Sequence, residues 1–190
     1  MSFKAAHFLV AGAFLAAGCC VSPAQEVIHA LTGVASKVDS TAHTITVTSA
    51  DGSQTVVQDD AKNHPRYDFD KALESAATDS AAFDKQGDRV VIYYFGEGWQ
   101  MRAVAVKDLG PGPLKLTTGE VKHWDRHHHV ITVRAADGTT QTFQLDTKTV
   151  VDTPTGVVNG EKFDPQTGDP ISIKYLNKDG NNDVVFASQS

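Results

Sequence analysis

Four of the chain's eight histidines fall within seven residues, in "HWDRHHH" from His123 to His129. Neutral imidazoles gathered two or three at a time suit Cu(II), Ni(II) or Zn(II). If the segment runs as a strand, alternate residues share a face. His127 and His129 then point one way and His128 the other, with His123 on the facing strand as a third imidazole. The candidate metal set is therefore His123, His127 and His129. The plainer reading is a solvated hairpin tip, because a tight site needs further groups to hold the rings in place. Trp124, beside the cluster, is read either as an enlarged position at a core rim or as a stacking platform for a ligand. Trp99 sits in a Gly-rich turn and is expected to be exposed.

The chain supplies its own control. "GVASKVDSTAHTITVTSADG" (Gly33–Gly52) and "GEVKHWDRHHHVITVRAADG" (Gly119–Gly138) share 9 of 20 positions without a gap, where chance gives about one. "FDKQGDRVVIYY" and "FDPQTGDPISIKY" extend the match with one inserted residue. Both copies keep an Asp–x–x–x–His frame, as Asp39/His43 and Asp125/His129. The frame without its extra histidines reads as turn chemistry. The carboxylate accepts turn amides, and the His faces it across the mouth of the hairpin.

Elements that position these residues follow a period of two. "HTITV" and "HVITV" alternate β-branched residues with their neighbours, and each is followed by an Asp-Gly pair, a strong hairpin signal. "TVVQ" and "QTFQLD" read as return strands, "VVIYYF" and "ISIKYL" as fourth strands, "MRAVAVKDL" and "DVVFAS" as fifth. Each unit is thus a five-stranded antiparallel meander long enough to curl into a barrel. The first carries an Ala-rich segment with Leu73, Ala76 and Ala77 at helical spacing, whereas Pro154, Gly156 and Gly160 forbid a long helix in the second. The predicted fold is mainly all-β: two tandem five-stranded OB-like barrels, residues 29–108 and 119–190, the first with a helix between strands 3 and 4. A Gly/Pro linker, 109–118, joins them as a fairly stiff spacer.

This pattern (Gly, Val-Asp, a short turn, Ile-Thr-Val, Asp-Gly, then Gly-Asp before a strand) resembles the small OB-like barrels of exported bacterial proteins of unknown function. It is more distantly similar to the periplasmic copper- and silver-binding barrel of efflux systems. That barrel binds metal with a Trp and Met pair in an "NWPxM" context plus one His. No such segment occurs here, and beyond Met1 the chain has only Met101.

Residues 1–24 read as a signal peptide, with Lys4 ahead of the apolar "AAHFLVAGAFLAAG". "SPA" before Gln25 offers one cleavage site. "LAAGC" offers another, in which a lipoprotein leader ends before Cys19. Both cysteines, Cys19 and Cys20, lie in this leader, so the remaining chain has no thiolate ligand or nucleophile. The expected location is periplasmic or secreted, or else lipid-anchored in the envelope through Cys19. A net charge of −6 disfavours nucleic acid and leaves a lipid anchor as the only route to a membrane. No G-x-S-x-G, H-E-x-x-H or phosphate-loop motif is present, so no catalytic residue and no enzyme are expected. What remains is an exported binding or scaffolding module for an envelope protein or small ligand, without a cofactor. The alternative is a transition-metal binder using the histidine cluster.

Overall fold

The computed structural model describes residues 26–59, 70–178 and 181–189. The expected leader, Cys19 included, lies outside them. Two sheets account for most of the described residues. The first contains β1 (His29–Asp39), β2 (Thr44–Thr48), β3 (Gln54–Asp59), β4 (Thr78–Asp79), β5 (Arg89–Phe95) and β6 (Arg102–Gly110). The second contains β7 (Lys115–Asp125), β8 (Val130–Ala135), β9 (Thr140–Gln144), β10 (Val150–Thr153), β11 (Gly156–Asn159), β12 (Pro170–Lys178) and β13 (Asn181–Gln189). Among the described residues no helix is long and apolar enough to cross a membrane.

In the first unit pairing runs in a ring, from β1 to β2 to β3 to β6 to β5 and back to β1. The closing pair is parallel, Gln58 with Arg102 and Asp59 with Ala103. The sheets are therefore not plain five-stranded antiparallel meanders. Among the described residues they hold six and seven strands, because short pieces between the third and fourth strands join them. β4 pairs with β6, and the β10–β11 hairpin enters through a parallel pairing of β10 with β13. The helix expected in the first unit is a single turn, α1 (Lys71–Glu74), capped by the Asp70 carboxylate, which accepts from the Ala72 amide. Leu73 is buried as its spacing implied, but Ala76 and Ala77 lie beyond the turn.

The duplication is repeated in backbone detail. Each copy has a register shift at the matching place, between Ala35 and Lys37 and between Val121 and His123. Each also has a glycine where the neighbouring strand passes too close for a side chain. A Cβ at Gly33 would sit 2.4 Å from the Thr48 carbonyl oxygen, and one at Gly119 2.2 Å from that of Arg134. Gly52 and Gly138 hold φ of 83° and 84°, the left-handed turn that Asp-Gly supplies.

The two units share a core. On β5 the side chains alternate between two apolar clusters: Val90 and Ile92 face the first unit's interior, and Val91 and Tyr93 face the second unit. There they meet Val150, Val157, Val185 and Phe186, together with Ile28, Leu73 and Val104. The second unit has its own interior around Val121, Ile131, Phe143 and Ile173. Hydrogen bonds frame the junction: Val157 N–H to Ile28 C=O (2.8 Å), Ala30 N–H to Asp152 Oδ1 (3.1 Å) and Asn159 Nδ2 to Asp70 Oδ2 (2.9 Å). Lys162 adds an ion pair to Asp70 at 2.6 Å. Burial opposes ionisation of Asp70, but the bonds from Lys162, Asn159 and Ala72 outweigh it and hold its pKa below the ordinary carboxylate value. The join is shorter than a 109–118 spacer. β6 continues to Gly110 and β7 begins at Lys115, whose first residues already pair with β12.

Candidate functional site

At the β7–β8 tip the chain turns through Arg126–His129. Asp125 Oδ1 accepts the amides of His127 (3.0 Å) and His128 (3.1 Å). Asp39 does the same at the β1–β2 tip, with Thr41 (3.2 Å) and Ala42 (2.9 Å). Each turn closes with its His in the left-handed region, His43 at φ 52° and His129 at φ 51°, a conformation His adopts more readily than most residues. The His carbonyls then accept from Asp59 and Leu145. The frame is thus one four-residue turn used twice.

The histidines of this turn differ from the sequence expectation in two respects. His127 and His129 both lie within the turn, so strand alternation does not set them on one face. The ring that meets the Asp125 carboxylate belongs to His128 (Nδ1–Oδ2 2.8 Å), not to the His closing the frame. This bond, reinforced by the two amides, pulls the Asp125 pKa down to about 2. His129 instead lies beside Trp124, ring centroids 6.2 Å apart. His123, His127 and His128 are exposed. Among the described residues no three His, Asp, Glu or Cys side chains converge as metal ligands would. Trp124 is half-buried opposite Ile131 and packs on Phe163 at 6.2 Å, at the rim of the second core. Its indole N–H and His129 Nδ1 are buried without a hydrogen-bond partner among the described residues. Trp99 is 81% exposed.

A second candidate shares no residue with those singled out from the sequence. Where the units meet, a cleft of about 270 Å³ opens between Gly33–Val34, Thr48–Ala50, the connection Gly112–Leu114, and Leu116, with Arg89 and Lys174 in its lining. Val34 (39% exposed) and Leu116 (50%) are two of the few large apolar side chains left open to solvent. Arg89 is only 6% exposed. Its Nε donates to Gly110 C=O (3.0 Å) and its Nη2 to Pro111 C=O (2.6 Å), while Nη1 lacks a partner among the described residues. Arg89 thereby pins the connection, and among the described residues its charge meets carbonyl dipoles and no carboxylate. Lys174 Nζ donates to Thr32 C=O (3.2 Å) and lies 5.8 Å from the Phe186 ring centroid. Burial lowers its pKa, an effect Asp51 only partly offsets.

Both residues stand out where the two repeats are aligned. Aligned on "GDRVVIYY" and "GDPISIKY", Arg89 stands opposite Pro170 and Lys174 opposite Tyr93. Each is a cation present in one copy only. Comparison of the chain with protein-family models, curated proteins and solved structures returns no match.

Proposed function

We propose that this chain is an exported, non-catalytic binding module of the bacterial envelope, made of two OB-like barrels packed as one body. The circular pairing of the first unit, with a parallel closing pair, supports the OB-like reading. Barrels of that kind present ligand sites on strand faces and in the loops beside them. The observation that carries the binding role is the junction cleft, whose walls come from both units and whose apolar lining is flanked by two cations. Cavities at domain interfaces with few, placed polar groups are the usual form of small-ligand sites.

A second reading rests on the Asp125–His128 pair. A carboxylate on Nδ1 leaves Nε2 as the free ring nitrogen, the orientation that metal-binding imidazoles commonly have. In that reading Cu(II), Ni(II) or Zn(II) binds at the tip, with His123, His127 or His129 as further ligands.

Hydrogen–deuterium exchange separates the two. The purified chain is exposed to the small-molecule fraction of a periplasmic extract and, in parallel, to each metal ion. Protection across residues 33–50 and 111–116 with the extract supports the cleft. Protection confined to 123–129, and seen with metal alone, supports the second reading. If no segment gains protection under any condition, the protein is not a small-ligand binder.

A further inference from the structure

The junction cleft can be compared with its own duplicate. In the second unit the matching groove runs along Gly119, Glu120, Arg134, Ala135 and Gly138. There Glu120 replaces Val34 and Arg134 replaces Thr48, and the two pair across the groove at 3.3 Å. The fold therefore does not impose an apolar groove at this place. In the first unit the groove is apolar, and it is covered by Leu114 of the connection and by Leu116 and Lys174 of the second unit.

Three features define what would fit. The volume, about 270 Å³, exceeds the roughly 150 Å³ that accommodates benzene and falls just short of the roughly 300 Å³ at which drug-sized pockets begin. The walls offer Val34, Pro113, Leu114 and Leu116, a surface for an apolar chain or ring of modest length. The charged groups in the lining are both cations, and Lys174 makes no ion pair among the described residues. An ammonium with unused donors beside an apolar wall is matched by an anion carrying an apolar body. A singly charged head suffices, since the Arg89 guanidinium is already committed to the connection and adds its field at short range.

Building on the binding-module reading above, we infer that the cleft takes a small amphipathic carboxylate, its apolar body on Val34, Leu114 and Leu116 and its head beside Lys174. Neither half of such a ligand suffices. An alcohol of the same length gains the apolar contact without charge compensation, and acetate gains the converse.

The test is calorimetric titration of the chain with octanoate, 1-octanol and acetate, repeated on Lys174→Met and Val34→Glu. The second substitution installs the residue the other copy already carries at this position. Thermal unfolding of each variant confirms that it is folded. The expected result is one octanoate per chain, bound at least tenfold more tightly than octanol or acetate. Lys174→Met should remove the preference for octanoate over octanol, and Val34→Glu should abolish saturable binding. The inference is overturned if octanol binds as tightly as octanoate. It is equally overturned if octanoate binds no tighter than about a millimolar, or binds both folded variants unchanged. Because the exchange experiment uses no chosen ligand, extract-dependent protection alongside failed octanoate binding would reject the ligand class and leave the binding module standing.

Discussion

Substituting Ile45 by Ala probes whether the two units stand or fall together. Ile45 is 2% exposed and belongs to the first unit's own interior, away from the shared cluster. Loss of a buried Ile side chain to Ala costs about 2–5 kcal/mol, transfer and cavity combined. Whether the second unit registers that loss depends on the strength of the junction. The second unit places Val150, Val157, Val185 and Phe186 in the shared cluster. At about 1.5–3 kcal/mol for each fully buried side chain the coupling reaches roughly 6–12 kcal/mol, an upper figure because each stays partly covered within its own unit. A coupling of even half that upper figure is comparable to the perturbation, so the destabilisation is expected to reach the second unit. In a Trp99→Phe background Trp124 alone reports, and it reports on the second unit. Its urea midpoint should fall by about 1–3 M for a 3 kcal/mol loss, at slopes of roughly 1–3 kcal/mol/M. The thermal midpoint should drop by about 6–12 °C for a 3 kcal/mol loss. An unchanged Trp124 transition, with circular dichroism resolving a separate weakened phase, would refute the coupling.

Four further outcomes follow from individual residues. His128→Ala should raise the Asp125 pKa from about 2 towards the ordinary carboxylate value, because the ring bond is its largest cause; carboxyl NMR titration reads this directly, and no change would place the cause elsewhere. His43→Gly should leave stability unchanged or raise it by up to about 1 kcal/mol, since it relieves a left-handed non-glycine residue whose side chain is exposed. His129→Gly should destabilise, having lost the packing on Trp124; equal responses in denaturant melts would contradict the difference drawn between the copies. Asp152 is pushed above the ordinary carboxylate pKa by burial, against the opposing bonds from Ala30 and His29. A raised native pKa means that stability is lost as pH rises through it. Asp152→Asn should therefore gain stability relative to the parent across the window from the ordinary value to the raised one, and hold the gain above it; a difference that is flat or falls with pH would show the opposite sign.

Much of the strand plan was legible because it rests on local chemistry. "TITV" and "VITV" bury every second residue, and Asp-Gly supplies the left-handed glycine each turn needs. The turn function of Asp39 and Asp125 was legible for the same reason, as carboxylates near free amides. What sequence order concealed was long-range. "VVIYY" is apolar at successive positions, the mark of a strand covered on both faces; which partner covers the second face cannot be read from the strand itself. Arg89 and Lys174 lie 85 residues apart in the numbering, and only the closing of one unit over the other brings both to the same cleft. Two local rules reach their limit at the histidine cluster: strand alternation does not hold for His127 and His129, which lie in a turn, and the Asp–x–x–x–His frame does not show that the ring on the carboxylate is that of His128.

The shared cluster joins the two units as one body, with the candidate site at their junction. Amide ¹⁵N relaxation across residues 29–110 and 115–189 tests it most directly. A shared core predicts one rotational correlation time for both segments, as for a single particle of the whole chain's size, with residues 111–114 as ordered as the strands beside them. Two distinct and shorter correlation times, with fast motion at 111–114, would contradict it and leave the cleft without its second wall.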